Sequence, residues 1–305
     1  MNPLVTIAIP CFNTARWIGA AVQSALDQDW PEKEVIVVDD GSTDGSRDEV
    51  RAFGDRVRLI EGGHRGSYAA RNTALQAARG EWVQFLDADD FLLPTKLAQQ
   101  LAGAADEDVI FSPVLFDQDG RRTPSAIDPR RTVEALWLAW ELPQTGGALW
   151  RKSALAAIGG WNEATPCCQE YELYARAIQA GLRFRFSASA GAVYRVWSEG
   201  TLCRKDPSQV VAVRTQLYQA FVAWLRETKR LTEEDRLLAG QACFEMARTL
   251  AQQDLAKAAE YHRARKREGL FHPAGPAAPA SYRAAYRVLG FSGAEKLAGA
   301  LRRET

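Results

Sequence analysis

Residues Trp82 to Phe91 read Trp-Val-Gln-Phe-Leu-Asp-Ala-Asp-Asp-Phe and set three carboxylates within four positions at the end of an apolar run. Asp87 and Asp89 lie two apart, so an extended backbone points both to one side. Asp90 follows at once. So much negative charge at the mouth of a hydrophobic strand is costly unless a cation shares it. An all-oxygen donor set suits a hard divalent ion, Mg2+ or Mn2+, and such ions keep open positions for phosphate oxygens. The chemistry open to this stretch is to hold a metal and a diphosphate. The competing reading is an acidic loop in which Asp90 only begins a turn.

The elements that must position these acids are strands alternating with helices. Leu4 to Pro10 is a β-branched apolar run that reads as a buried parallel strand. Ala15 to Gln28 carries apolar residues at helical period, with Asn13 or Thr14 placed to cap it. Glu34 to Asp39 is a second strand and Val57 to Glu61 a third. Ser67 opens a helix that Gly80 stops, and Val83 to Leu86 is the strand that delivers Asp87. This alternation predicts βαβ units and a parallel sheet. Ligands bind such sheets beyond the carboxyl ends of the strands, where Pro10, Asp39 and Asp87 all fall. A dinucleotide site would need G-x-G-x-x-G after the first strand. That turn is Cys11-Phe-Asn-Thr-Ala-Arg here, so NAD and FAD are excluded.

The totals narrow the class further. The chain has 305 residues, formal net charge 0 and 47% hydrophobic residues, enough for one α/β core with an appended region. Balanced charge argues against nucleic acid as a partner. No stretch reaches the ~18 to 20 apolar residues of a membrane span. The N-terminal residues carry no secretory pattern, and five cysteines without a C-x-x-C fit a reduced, cytoplasmic setting. Three histidines leave little for a His-based zinc centre.

Four pieces in order carry a resemblance: Val5-Thr-Ile-Ala-Ile-Pro-Cys-Phe-Asn13, Val37-Val-Asp-Asp-Gly-Ser-Thr-Asp44, Ala70-Arg-Asn-Thr-Ala-Leu75 followed by Gly80, and Phe85-Leu-Asp-Ala-Asp-Asp90. Residues 4–100 thus resemble the nucleotide-sugar-binding half of family-2 glycosyltransferases. The resemblance implies the α/β GT-A fold, a Rossmann-like mostly parallel sheet with flanking helices, here followed by a C-terminal helical region. It implies that Pro10 and Phe12 line the base pocket with Asn13 beside them. Asp39 would bind the uracil or ribose, Arg71 would lie near the diphosphate, and Asp87 with Ala88 would contact the donor. The metal would fall to Asp89 and Asp90. A helix N-terminus at Ser67 would favour phosphate.

The second half holds Gly160-Trp161-Asn162-Glu163, where Trp161 is either a sugar-stacking ring or core, and Cys167-Cys-Gln-Glu-Tyr-Glu-Leu-Tyr-Ala-Arg176. The family pattern there is an acidic pair, then x-acid-Leu and Arg, with the second acid as catalytic base. This chain offers Gln169-Glu170, then Glu172-Leu173 and Arg176, so Glu170 takes the base position and Gln169 replaces the first acid. A Glu serves, because an inverting transfer needs only a carboxylate within reach of the acceptor hydroxyl. The resemblance also implies a metal-completing His near the position of Trp197, which cannot ligate, and a closing loop in which Thr201 and Arg204 touch phosphate.

The expected organisation is a glycosyltransferase domain over 1–205, donor half 1–105 and acceptor half 106–205. Asp108 to Phe116 reads as one strand of the acceptor half. A helical extension over 206–270 and a Pro-containing linker with a basic amphipathic tail over 271–305 follow. From Tyr261 to Thr305 there are nine Lys or Arg against three Glu, formally +6, with Tyr282, Tyr286, Leu289, Leu297 and Leu301 on one stripe. Such a tail fits peripheral contact with the inner face of an anionic membrane or docking on protein. The expected activity is metal-dependent transfer of one sugar from a nucleotide-diphosphate sugar, UDP-linked first, to a sugar or lipid-linked hydroxyl acceptor in surface polysaccharide or glycolipid assembly. The alternatives are a nucleotidyltransferase, which would need a Gly-rich basic loop after strand one, and a non-catalytic subunit that kept the donor fold.

Overall fold

Seven consecutive buried residues, Val5–Cys11, form β1 and the middle of the main sheet. A run with no polar face suits a strand covered on both sides. The sheet has seven strands in the order β10-β6-β9-β4-β1-β2-β3. Here β2 is Lys33–Asp39, β3 Arg58–Glu61, β4 Trp82–Phe85, β6 Val109–Phe111, β9 Ala148–Arg151 and β10 Phe184–Phe186. β1 pairs in parallel with β2 and β4, and β2 with β3, as the alternating pattern predicts. The register sets Cys11 opposite Asp39 and Ala8 opposite Phe85, so the chain leaves β1, β2 and β4 on one rim. Helices α1 (Ala15–Leu26) and α3 (Ser67–Ala77) cover the sheet with Ile18, Ala21, Val22 and Ala25, and with Ala69, Ala70, Ala74 and Leu75. Gly80 lets the chain turn hard against β1, since a Cβ there would sit 2.5 Å from the Thr6 nitrogen.

The described residues are 2–196 and 206–301. They divide into two compact units, one of Met1–Arg130 with Glu141–Ser198, the other of Arg131–Trp140 with Glu199–Thr305. The mixed sheet and the C-terminal helices are the fold class that the sequence predicts. The single strand expected over Asp108 to Phe116 is two. Pro113 supplies no ladder donor, and the chain crosses from β6 to β7 (Val114–Gln118) in a second, four-stranded sheet of order β5-β11-β7-β8. Its other strands are β5 (Phe91–Leu92), β8 (Arg121–Pro124) and β11 (Ala192–Arg195). Antiparallel β9, between β4 and β6, was likewise not foreseen.

The second unit joins α5 (Val133–Leu138) to α8 (Pro207–Glu227), α9 (Glu233–Ala251), α10 (Leu255–Arg267) and α11 (Ala280–Leu301). Trp137 stacks on Phe221 at 4.1 Å. Thr232 and Asp235 form a capping box on α9, and Asp254 caps α10. The single apolar stripe expected on the tail does not form, because α11 breaks at Gly290, with φ 67°. The break folds the helix on itself, so that Tyr282 donates to Glu295 at 2.7 Å. Tyr282 is 5% exposed while Val288 is 83% and Leu289 54% exposed. No helix among the described residues is long and apolar enough to cross a membrane.

In the first unit Lys96, on α4 (Lys96–Leu101), is 1% exposed, and its ammonium donates to the amide oxygens of Gln84 and Gln100 with no carboxylate among these partners. Burial lowers its pKa from 10.5 to about 7. The folded chain therefore binds fewer protons than the unfolded one between those two values, and stability rises with pH across that window. Each pH unit there is worth at most about 1.4 kcal/mol. The midpoint of urea unfolding is expected to climb between pH 7 and 9 in the wild type, and to climb less in Lys96→Met. Parallel pH slopes would show that Lys96 does not titrate there.

Candidate active site

At the rim where β1 and β2 end, Asp39 is 1% exposed. Its Oδ2 accepts from the Gly41 and Ser42 amides at 3.2 and 3.0 Å and faces Arg47 at 3.5 Å. Its Oδ1 is buried with no partner. An orphaned carboxylate oxygen is a standing cost, and a base N–H or ribose hydroxyl would remove it. Asp40, not singled out from the sequence, accepts from the Arg65 and Gly66 amides at 2.7 Å each and ties the loop before α3 to β2. Pro10 is buried in β1. Phe12 is 42% exposed, with its ring 4.5 Å from that of His64, which leaves an aromatic edge open to a planar ligand. Asn13 serves as a staple between loops: its Oδ1 accepts from Thr43 N at 2.8 Å and its amide donates to Ser42 at 2.9 Å.

Beyond β4, Asp87 and Asp89 are half-buried, while Ala88 and Asp90 are buried. Asp90 Oδ1 accepts from Arg195 N at 2.8 Å, and Arg195 donates to the Asp89 carbonyl at 2.8 Å. Burial, then the adjacent Asp87 and Asp89, push the Asp90 carboxyl well above the usual range. Three carboxylates thus crowd a partly buried rim, which disfavours their charged forms unless a cation is near. A hard cation fits that donor chemistry. No group of three His, Cys, Asp or Glu side chains among the described residues forms a cage for one. A Mg2+ or Mn2+ would rest on one or two of these carboxylates, Asp89 and Asp90, and take the rest of its shell from phosphates and water.

Arg71, on α3, links the end of β4 to the start of α7 (Gln169–Gln179). It is 4% exposed, donates to Asp87 Oδ1 at 2.5 Å and to Gln169 Oε1 at 2.8 Å, and its guanidinium carbon sits 4.6 Å above the Trp161 ring. Burial works against its charge, but the facing Asp87 and Glu170 carboxylates outweigh that, and its pKa is raised. The arginine expected near the diphosphate is a buried clamp between Asp87, Gln169 and the Trp161 ring. Trp161 is 4% exposed, set edge-on to Phe85 at 5.2 Å and covered by Arg71, so its face is closed to a sugar. The main chain of Trp161 exchanges two hydrogen bonds of 2.9 Å with the Asn72 amide.

Glu170 lies in the first turn of α7 (Gln169–Gln179), after Cys168 in the left-handed region at φ 57°. That conformation is rare for a side-chain-bearing residue and is typical of functional sites. Glu170 Oε1 accepts from the Thr145 hydroxyl at 2.5 Å. Glu172 pairs with Arg176 at 2.8 Å, and Arg176 also donates to the Ile158 and Gly160 carbonyls, which fixes α7 to the loop before it. Thr145 has no signal in the sequence beyond being a hydroxyl next to two glycines. Tyr194 was also missed. It is half-buried on β11 with its ring edge-on to Phe116 at 5.7 Å, and burial, then Asp90, Asp87, Asp89 and Glu170, raise its pKa. Trp197, Thr201 and Arg204 lie outside the described residues.

A family model described as "Glycosyl transferase family 2" matches residues 6–159, half of the chain. The chain belongs to that family. Over 126 residues it is 38% identical to a putative teichuronic acid biosynthesis glycosyltransferase, TuaG, of Bacillus subtilis, covering 39% of this chain and 50% of the relative. Over 111 residues it is 39% identical to an Escherichia coli UDP-Glc:alpha-D-GlcNAc-diphosphoundecaprenol beta-1,3-glucosyltransferase, WfaP, covering 36% of this chain and 44% of the relative. The chain spans about half the length of these curated relatives. A crystal structure of S. aureus TarS 1–349 with UDP-GlcNAc aligns with TM-score 0.61 and 18% identity over 88% of this chain and 89% of that one. The Pyrobaculum calidifontis mannosyltransferase PcManGT, solved with GDP-Man and Mn2+, aligns with TM-score 0.58 and 22% identity over 99% of this chain and 87% of that one. At those identities the structures show a shared fold.

The clamp makes a stability prediction that needs no substrate. Arg71→Met leaves Asp87 without its cation and Gln169 without its donor. It is expected to cost roughly 2–4 kcal/mol, less than a fully enclosed pair because the Asp87 side chain is 25% exposed. Asp87→Asn should restore part of that loss in the Arg71→Met background, measured by urea unfolding. Additive losses would show that the two side chains are not coupled.

Proposed function

We propose that the chain moves one sugar from a UDP-linked donor to an acceptor hydroxyl with inversion at the anomeric carbon. The observation that supports this reading is the Arg71 clamp, which joins Asp87, beside Asp89 and Asp90, to Gln169, the neighbour of Glu170. Asp39 Oδ1 would accept from the base or ribose, with Pro10, Phe12 and Asn13 around it and Asp87 and Ala88 beyond. A bound Mg2+ or Mn2+ would supply Lewis-acid neutralisation of the leaving diphosphate. Glu170 would accept the proton of the acceptor hydroxyl as that oxygen attacks. Transfer takes place in one displacement, and no covalent sugar–enzyme species is needed. The activities for which the relatives are named support a UDP-sugar donor, a glycan or lipid-diphosphate acceptor and a place in surface polysaccharide or glycolipid assembly. Manganese in the mannosyltransferase structure supports a divalent metal.

A panel of UDP, GDP, CDP and dTDP with and without Mn2+, read by thermal shift, tests the donor side. A ligand at 100 times its Kd adds about 2.7 kcal/mol to the folded state. UDP is expected to stabilise most, more so with Mn2+, with the shift lost in Asp39→Ala and its metal dependence lost in Asp89→Ala. Glu170→Gln should keep the UDP shift and lose about 10²- to 10⁴-fold in transfer. Nucleotide binding without transfer would favour a non-catalytic subunit, and release of pyrophosphate from a nucleoside triphosphate would favour a nucleotidyltransferase.

We also propose, for the second unit, peripheral contact of α11 with an anionic membrane. Val288 and Leu289 stand exposed at its break, and Arg283, Arg287 and Lys296 are exposed around them. Apolar tips flanked by cations suit an acidic lipid surface. Flotation with vesicles containing phosphatidylglycerol should recover the wild type and lose Val288→Asp/Leu289→Asp, while phosphatidylcholine vesicles recover neither. Equal recovery of wild type and variant would rule the contact out.

A further inference from the structure

Thr145 is 4% exposed and sits in a single turn, Thr145–Gly147, between α5 and β9. Its hydroxyl donates to Glu170 Oε1 at 2.5 Å. The turn is held from two sides. From one side the buried amides of the Lys96 network grip its carbonyls. Gln84 Nε2 donates to Gly146 O at 3.1 Å, and Gln100 Nε2 donates to Gly147 O at 3.0 Å, with Ser112 N on the same oxygen at 3.0 Å. A Cβ at Gly147 would sit 2.8 Å from Ser112 O, so the turn lies flat against β6 and cannot retreat. From the other side α7 itself holds the residues just before the turn. Tyr171 donates to Leu142 O at 2.9 Å and Tyr174 to Pro143 O at 3.2 Å. Glu170, Tyr171 and Tyr174 are successive contacts of one helix with one segment.

These bonds fix the turn that carries Thr145 and so fix the direction of its hydroxyl. A Glu carries one more rotatable bond than an Asp, and a carboxylate free to swing would lose its alignment with an acceptor oxygen. We propose that Thr145 is a positioning residue: its hydroxyl locks one rotamer of Glu170 and aims the other carboxylate oxygen at the acceptor. The inference rests on the reading of Glu170 as the base.

The test is kinetic, with UDP-sugar as donor and the same acceptor throughout. Thr145→Val keeps the shape and removes the hydroxyl. It is expected to lower kcat by about 10- to 100-fold while the donor KM stays within about threefold. Thr145→Ser, which restores the hydroxyl, should recover most of the rate. In a Glu170→Gln background Thr145→Val should cost nothing further, because a residue that acts only through Glu170 has nothing left to act on. Thermal unfolding of each variant separates a loss of fold from a loss of rate. Wild-type transfer with an unchanged rate in Thr145→Val overturns the positioning role alone, as does an additive loss in the double variant. A wild type that binds nucleotide and transfers nothing overturns the base assignment and the positioning role with it.

Discussion

A guanidinium enclosed in protein has to be balanced, and the way Arg71 is balanced dictates the geometry of the site. Moving an ion of this kind out of water costs several kcal/mol even after relaxation. Here one carboxylate at 2.5 Å, one amide oxygen at 2.8 Å and one aromatic face at 4.6 Å repay that cost. The three partners come from three parts of the chain: the end of β4, the start of α7 and the loop that holds Trp161. None can move without leaving charge uncovered. The fork geometry of arginine, with donors fixed in one plane, turns this demand for balance into a fixed distance between Asp87 and Gln169. That distance in turn fixes Glu170 relative to the acids of the donor side.

The parallel sheet performs the other half of the placement. β1, β2 and β4 are in register and end on one rim, so Asp39 and Asp87 need no special loop to meet there. What the loops add is conformational definition. Asn13, His64 and Cys168 hold left-handed backbones at φ 51°, 55° and 57°. Asp40 and Asp44 accept main-chain donors from neighbouring loops, Arg65 and Gly66 for the first and Ala15 and Ser46 for the second. The loops that ring the site are therefore cross-braced by side chains that do not need to touch a ligand.

The donor half was legible in the sequence because its signals are local. A β-branched run closed by Asp says strand and site at once, and β1 through β4 appear where their apolar runs lie. Further along the chain α7 was legible, its helical period closed by Gly181, as were the helix at Val133–Leu138 and the strand at Phe184–Phe186. β9 and the second sheet escaped notice because strands of two to five residues carry too few alternations to show a period. The run over Asp108 to Phe116 looked continuous because Pro113 is apolar, although its missing donor is what splits the run. Arg71 and Trp161 were read as a phosphate contact and a sugar platform or core. Nothing within either motif reveals that ninety residues apart in sequence they lie face to face. Thr145 carries no local mark at all, since its importance comes entirely from the carboxylate it meets.

The two departures at the start of α7 make physical sense together. A second carboxylate at position 169 would stand beside Glu170 and compete with Asp87 for one guanidinium, adding a negative charge to a region already rich in them. The neutral amide of Gln169 accepts the same hydrogen bond without that repulsion. The longer acid at 170 then extends about 1.5 Å beyond an aspartate, which is reach gained at the expense of order. The Thr145 hydrogen bond supplies the order. Each change alone would disturb the balance of charge or the aim of the carboxylate, and with Thr145 in place both are accommodated.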